Sequence, residues 1–406
     1  MLRWLAGREP RAALAERLVL GSAPAGNGPR PVWVHAASVG EAAAARPVIE
    51  ALLAETGRPV CMTVNTVTAR QAATGWGLDG LSVRLAPVDS QAALRRFFRK
   101  VRPALLVNLE AEFWPHRFAM CRARAVPAIG LGTKLSDRAA RRSGYVAELA
   151  SGVLSAFSEI WPLDEPSRGK LLAAGAAPGS LRECFNAKFI AVAPAAERAP
   201  WPEALSSWRG DPVVLAASAH AGEEGVLVAA FAAARSAKSR LRLVLAPRHP
   251  AESDDFIHAL AARGLRYAQR SLGQAATAET AAYIADTFSE MPLWYDACPV
   301  TIVCGTFLDR GGHTPVEPVR HGSLPIHGPD TANHEMAFAA LHRADAAVLV
   351  RNEKELCSAL LEAVSDPRLN DRAEAGKRAI AGLQDAMRQR LRTISLSAAG
   401  LVRDQP

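Results

Sequence analysis

The chain has 406 residues, 49% of them hydrophobic and 22% charged, with a formal net charge of +8. That length exceeds one hydrophobic core and predicts two domains of about 200 residues each, and the hydrophobic content excludes a disordered chain. The positive balance fits a partner bearing phosphates or carboxylates; with the basic residues spread along the chain and no basic stretch interleaved with aromatics, nucleic acid is not expected among its partners.

The first twenty residues, MLRWLAGREPRAALAERLVL, mix Leu2, Trp4, Leu5, Leu14 and Leu18 with Arg3, Arg8, Arg11 and Arg17. Such a basic amphipathic segment either adsorbs to an anionic membrane surface or packs as a helix on its own domain, and Pro10 interrupts any long helix. No apolar run approaches the roughly 18–20 residues that cross a bilayer, and charges break up any secretory signal. Six cysteines without C-x-x-C pairing, several of them in apolar runs, read as buried reduced thiols.

From Pro31 strands and helices alternate. A strand is predicted over Val32–Ser38 and a helix over Gly40–Leu53, then strands at Val60–Val64, Val83–Ala86, Leu105–Leu109 and Ile129–Gly132. Residues 191–208, AVAPAAERAPWPEALSSW, are rich in proline and alanine without periodicity and read as a linker. A second series places strands at Val213–Ala217, Leu241–Ala246, Tyr283–Ala285, Val300–Val303, Leu324–Ile326 and Val348–Val350, with helices from Glu353 onward. This is an α/β pattern of two doubly wound parallel-sheet domains: 1–190, the linker, and 209–406. Open sheets of this kind bind ligands at the carboxyl ends of their strands, so a cleft between the two domains is expected.

Chemistry concentrates at those strand ends. In HAASVGE, residues 35–41, Ser38 and Gly40 make the turn and Glu41 enters the first helical turn. Its carboxylate is placed to act as a general base, or else merely to complement the helix dipole. NLEAEFWP sets Glu110 and Glu112 at the end of another strand, and Lys134, Arg138 and Lys188 supply cations for an acidic substrate. In the second half, SAHAGEE, with Ser218 and His220, is a strand-to-helix turn with phosphate-binding potential; PRHP contributes Arg248 and His249, and DTFSEM contributes Ser289 and Glu290. The stretch Thr301–Glu335 reads as a strand, a glycine loop at Gly311 and Gly312, a helix capped by Thr314 with Pro315 at its first position, and Glu317 in the first turn. Either it cradles a nucleotide, backbone N–H groups on phosphate and the carboxylate on ribose, or it is an ordinary turn. The absence of D-x-D, and of zinc-ligand spacing among ten histidines, argues against a metal.

Together VWVHAASVGE, LEAEFWPHRF, LSDRAARR, FNAKF, ASAHAGEE, APRHP, DTFSEMPLWYDA, GGHTPVEPVRHG and GPDTANHE resemble, in order, the motifs of the 3-deoxy-D-manno-octulosonic acid (Kdo) transferases of lipopolysaccharide synthesis. The motifs run from Pro31 to Glu335. The resemblance implies a GT-B glycosyltransferase that moves Kdo from CMP-Kdo to a lipid A precursor, with inversion and without a cofactor or metal in the transfer step. It implies Glu41 as the general base, acceptor and sugar contacts at Ser38, Gly40, Glu110, Glu112, Lys134 and Lys188, and nucleotide contacts at Ser218, His220, Arg248, His249, Ser289, Glu290, Gly312, Thr314, Glu317, Asn333 and Glu335. It also implies a cytoplasmic location, peripheral on the inner face of the inner membrane. Family members usually begin with an apolar anchor, where this chain offers only the basic segment. Ser289 stands where glycine is usual, Lys134 where arginine is common and Thr314 where asparagine is expected. Alternatives are a paralogue of the same fold using another activated sugar, a nucleotide-sugar hydrolase or epimerase, or a non-catalytic binding protein.

Overall fold

Every strand in both sheets runs parallel to its neighbours, because most of the apolar runs are followed by a helix that carries the chain back across a face. The computed structural model describes residues 10–20, 28–135, 151–190 and 199–403. They fall into two compact units, Met1–Ala193 with Gln384–Pro406, and Pro194–Leu383.

The first unit opens with α1 (Arg11–Arg17), then β1 (Val32–His35), α2 (Val39–Thr56), β2 (Val60–Val64), α3 (Val67–Thr74), β3 (Leu81–Leu85), α4 (Gln91–Val101), β4 (Leu105–Leu109), α5 (Pro115–Ala123), β5 (Ala128–Thr133), β6 (Glu159–Pro162) and α6 (Glu165–Ala173). Its strand order is β3-β2-β1-β4-β5-β6. β1 and β4 are buried at every position, as expected of strands covered on both faces. Strand β6 was not expected, because four residues ending in proline carry no periodic signal. Helix α1 packs on its own unit: Ala13 is buried, Glu16 Oε1 accepts the Leu85 N–H at 2.7 Å, and Arg17 donates to the Asn65 carbonyl at 2.6 Å. Arg17 is thus turned inward rather than toward a membrane surface, Arg11 is exposed, and Arg3 and Arg8 lie outside the described residues.

The second unit contains β7 (Val213–Ala219), α7 (Glu224–Ala237), β8 (Arg242–Pro247), α8 (Ser253–Ala261), β9 (Tyr267–Gln269), β10 (Ala282–Ile284), α9 (Met291–Ala297), β11 (Val300–Val303), α10 (Val316–Arg320), β12 (Leu324–His327), α11 (Glu335–Arg343), β13 (Val348–Leu349) and α12 (Glu353–Ala363). The sheet order is β13-β12-β11-β7-β8-β10-β9. The three-residue edge strand β9 is the second element that the sequence pattern did not signal.

A final helix, α13, spans Leu369–Arg403. The sequence pattern groups all of 209–406 together, whereas 384–406 cluster with the first unit. Met387, Ile394 and Ala398 are buried, Arg390 pairs with Glu183 at 2.8 Å, and Ser397 donates to Glu159 at 2.9 Å. A helix that simply continues gives no composition break at which to see the change of unit. Among the described residues no helix is long and apolar enough to cross a membrane.

Candidate functional site

Both sheets reverse winding direction at one point, and that point fixes where loops can converge. In the first unit it lies between β1 and β4; in the second, between β7 and β11. Chains leaving adjacent strands in opposite directions leave a crevice at the strands' carboxyl ends.

In the first unit the crevice is acidic. Ser38 caps α2, its hydroxyl accepting the Glu41 N–H at 3.2 Å, while Glu41 Oε2 takes the Ala37 N–H at 2.8 Å and Oε1 the Ser38 hydroxyl at 3.2 Å. The capping and catalytic readings of Glu41 are therefore compatible: the cap holds the carboxylate at a fixed point. Burial, together with the charges of Glu110 and Glu112, raises the Glu41 carboxyl above its ordinary range.

Glu110 adopts φ +52°, an uncommon backbone conformation for a residue with a Cβ. It pairs with Lys188 at 2.8 Å and Lys134 at 3.0 Å. Burial works to raise its carboxyl, but the two ammonium groups outweigh burial and hold it below the ordinary range. Both lysines, expected as cations for an acidic substrate, thus already carry a protein partner. Glu112 faces His35 Nε2 at 3.5 Å and accepts from Asn65 at 3.1 Å and from the Trp114 indole. Burial opposes its ionisation, yet these donors pull the carboxyl down to about 2. Gly40 lies in the first turn of α2 with open space around it, and Trp114 and Val39, 42% and 45% exposed, leave an apolar margin near the cluster. Arg138 lies outside the described residues.

In the second unit, a cavity of about 290 Å³ is lined by Ser218, Arg248, Tyr295, His313, Thr314 and Glu317, with Ala217, Val303 and Pro318. The Tyr295 hydroxyl donates to Glu317 at 3.5 Å. Ser218 holds φ +58° at the end of β7. His313 and His220 meet Nε2 to Nε2 at 2.9 Å with their rings stacked, and burial pulls the His313 imidazolium down to about 4, so the ring is neutral at physiological pH.

Several expected contacts are rearranged. Thr314 does not cap the helix in the predicted position: α10 begins at Val316, Pro315 sits at the cap, and the Thr314 hydroxyl accepts the Val316 N–H at 3.2 Å. In the turn SAHAGEE the N–H groups serve the turn's own carboxylates, His220 N–H to Glu223 at 3.0 Å and Gly222 N–H to Glu224 at 2.6 Å. The glycine loop is likewise satisfied internally: Gly311 N–H bonds Asp330 and Gly312 N–H bonds the Gly305 carbonyl at 3.0 Å. The bare N–H cradle expected at these two places is occupied by protein acceptors, because buried donors are rarely left open.

Gly312 earns its identity by close approach. It holds φ +71°, and a Cβ there would sit 2.7 Å from the Asp330 carbonyl oxygen.

Of the eleven predicted nucleotide residues, Ser218, Arg248, Thr314 and Glu317 line the cavity, and His220 touches it through His313. His249 lies next to His220, its ring 6.4 Å away. Glu290, at the N-cap of α9, binds Arg270 at 2.6 and 3.1 Å, with Ser289 at φ +67° beside it. Asn333 braces the glycine loop by donating to the Arg310 carbonyl at 3.0 Å, and Glu335 begins α11. Sequence reasoning passed over Tyr295 and His313 as lining residues, and it missed Asn65 entirely. Tyr295 is one polar side chain inside helix α9, whereas His313 and Asn65 stand in loops beyond a strand, where a single side chain carries no periodic signal. Among the described residues no group of three or more His, Cys, Asp or Glu side chains is placed to hold a metal ion.

Comparison with known proteins bears on this arrangement. The family model for 3-deoxy-D-manno-octulosonic-acid transferase (kdotransferase) matches residues 12–191. The chain is 32% identical over 348 residues to the 3-deoxy-D-manno-octulosonic acid transferase of Bordetella pertussis, covering 83% of this chain and 80% of that one. It is 25% identical over 364 residues to the enzyme of that name from Haemophilus influenzae, covering 89% and 84%. The crystal structure of a glycosyltransferase from Rickettsia africae superposes with a TM-score of 0.64 over 93% of this chain and 100% of that one, at 10% identity, a likeness of fold. The fold is GT-B, and the chain is a glycosyltransferase that belongs to the 3-deoxy-D-manno-octulosonic acid transferase family.

Proposed function

We propose that the chain transfers Kdo from CMP-Kdo to a hydroxyl of a phosphate-bearing lipid A precursor, inverting the anomeric centre, with Glu41 as general base and no metal in the transfer step. The observation that carries this reading is the Glu41 carboxylate. It is pinned by Ala37 N–H and Ser38, and raised in basicity by burial and two neighbouring carboxylates. The acceptor oxygen attacks the anomeric carbon as the bond to the CMP phosphate breaks. The hydroxyl proton passes to Glu41, and the electron pair leaves on the phosphate. A single displacement inverts the centre.

The donor is assigned to the cavity of the second unit. There the Arg248 guanidinium offsets phosphate charge, Glu317 accepts ribose hydroxyls, and Ser218 and Thr314 offer hydroxyl groups. The acceptor is assigned to the first unit, where Lys134 and Lys188 can exchange Glu110 for an acidic group of the substrate. The net charge of +8 favours peripheral attachment to an anionic leaflet on the inner face of the inner membrane. Incubation with CMP-Kdo and a lipid A precursor, followed by mass spectrometry of the lipid, tests the reading. The expected result is a mass gain of one or more Kdo residues with release of CMP; an unmodified lipid beside transfer from another nucleotide sugar would overturn it.

A further inference from the structure

The polar groups beneath the carboxylates form a directed chain. His35, Thr63 and Asn108 stand in register on β1, β2 and β4, all essentially unexposed. The Trp33 indole N–H donates to Thr63 Oγ1 at 2.8 Å, and Thr63 Oγ1 lies 2.9 Å from His35 Nδ1. His35 Nε2 makes no well-formed hydrogen bond among the described residues, yet Glu112 Oε2 stands 3.5 Å away.

Donor and acceptor counting sets the protons. An indole N–H can only donate, so Thr63 Oγ1 accepts from it and keeps one hydroxyl proton to give. If His35 carried its proton on Nδ1, Thr63 would accept twice, its own proton would have no acceptor among the described residues, and the Nε2 lone pair would face an anionic carboxylate. If the proton sits on Nε2, Thr63 donates to Nδ1 and the Nε2–H points toward Glu112. Arg117, 2% exposed and packed on the Trp33 ring at 5.3 Å, places a cation nearby that keeps a second charge off the imidazole. Burial and Arg117 pull His35 down to about 4, against the opposite pull of Glu112. The charges facing this group are Arg117, Glu112 and, beyond Glu112, Glu41 and Glu110, with Asp89 next to Arg117.

We propose that His35 is a positioning residue: Trp33 and Thr63 fix its neutral Nε2–H tautomer, and that N–H holds ionised Glu112 beside Glu41, where its charge strengthens the base. The role rests on the assignment of Glu41 as the base, but the tautomer does not.

The test uses the full chain labelled with 15N-histidine. Long-range 1H–15N correlation at pH 7, with His35 assigned by its absence in His35→Gln, should show Nδ1 bare and Nε2 protonated. Thr63→Ser should keep that tautomer and near wild-type kcat. Thr63→Val should mix the tautomers and lower kcat about 10–100-fold, the range for weakening one hydrogen bond to a charged group, with donor KM unchanged. A charged His35 or an Nδ1–H tautomer in the wild type overturns the proposal, even where Thr63→Val does not fold. Folded Thr63→Val with wild-type kcat overturns it too. Full turnover by Glu41→Gln would instead remove the base assignment while leaving the tautomer standing.

Discussion

The two units share a construction and differ in chemistry. In each, a parallel sheet reverses direction beside its first strand, and the loops at that point gather polar side chains. The first unit gathers carboxylates, Glu41, Glu110 and Glu112, and the second gathers Arg248, three hydroxyls and a stacked imidazole pair around a cavity with a single carboxylate, Glu317. The difference teaches that the switch point supplies a location and the loops supply the reaction. Crowded carboxylates make one of their number a better base. A guanidinium with neutral imidazoles favours an anion without adding a competing negative charge.

The sharpest way to break this division is Glu41→Gln. Loss of a general base costs about 10²–10⁴ in rate. The folded variant should lose that much kcat while calorimetry shows nucleotide bound as before; near wild-type turnover would take the base away from the first unit. Next comes Glu317→Ala, which should weaken CMP binding by about 1–3 kcal/mol, or roughly 5- to 150-fold, and leave the first unit's titration untouched. Unchanged CMP affinity would place the donor elsewhere.

A third measurement sharpens the comparison through pH. A base must be deprotonated, and Glu41 is raised above 4.5, so kcat/KM should fall on acidification with a midpoint above that value. Removing the neighbouring charge with Glu112→Gln should move the limb to lower pH and lower the plateau. A shift toward higher pH would contradict the like-charge account.

The smallest effect is conformational. Ser289 holds φ +67°, a region that costs a residue with a Cβ about 1–2 kcal/mol and glycine much less. Ser289→Gly should stabilise the chain by less than about 1 kcal/mol, because glycine also loosens the unfolded state, whereas Ser289→Val should destabilise it by more than about 1 kcal/mol. Denaturant midpoints would show both, and a stabilising valine would refute the strain.

Much of this molecule was legible as a string. The largely apolar runs at 60–64, 105–109 and 300–303 became strands with those bounds, because a buried parallel strand needs little more than a short apolar stretch. Glu110, Glu112 and Arg248 could be marked as chemical because each closely follows such a strand, and Glu41 and Glu317 because each sits in the first turn of the helix beyond one. What the string could not carry was strand order, which puts the loop after β1 beside the loop after β4 although more than 60 residues separate them. Nor could it show that the lysines are already paired with Glu110, that the turn N–H groups are taken by Glu223, Glu224 and Asp330, or that the last helix crosses from one unit to the other. Those are partnerships between residues distant in sequence. Local propensity and periodicity act over a few residues along the chain, whereas a hydrogen bond or ion pair depends on distance in space, and only the folded sheets set that distance.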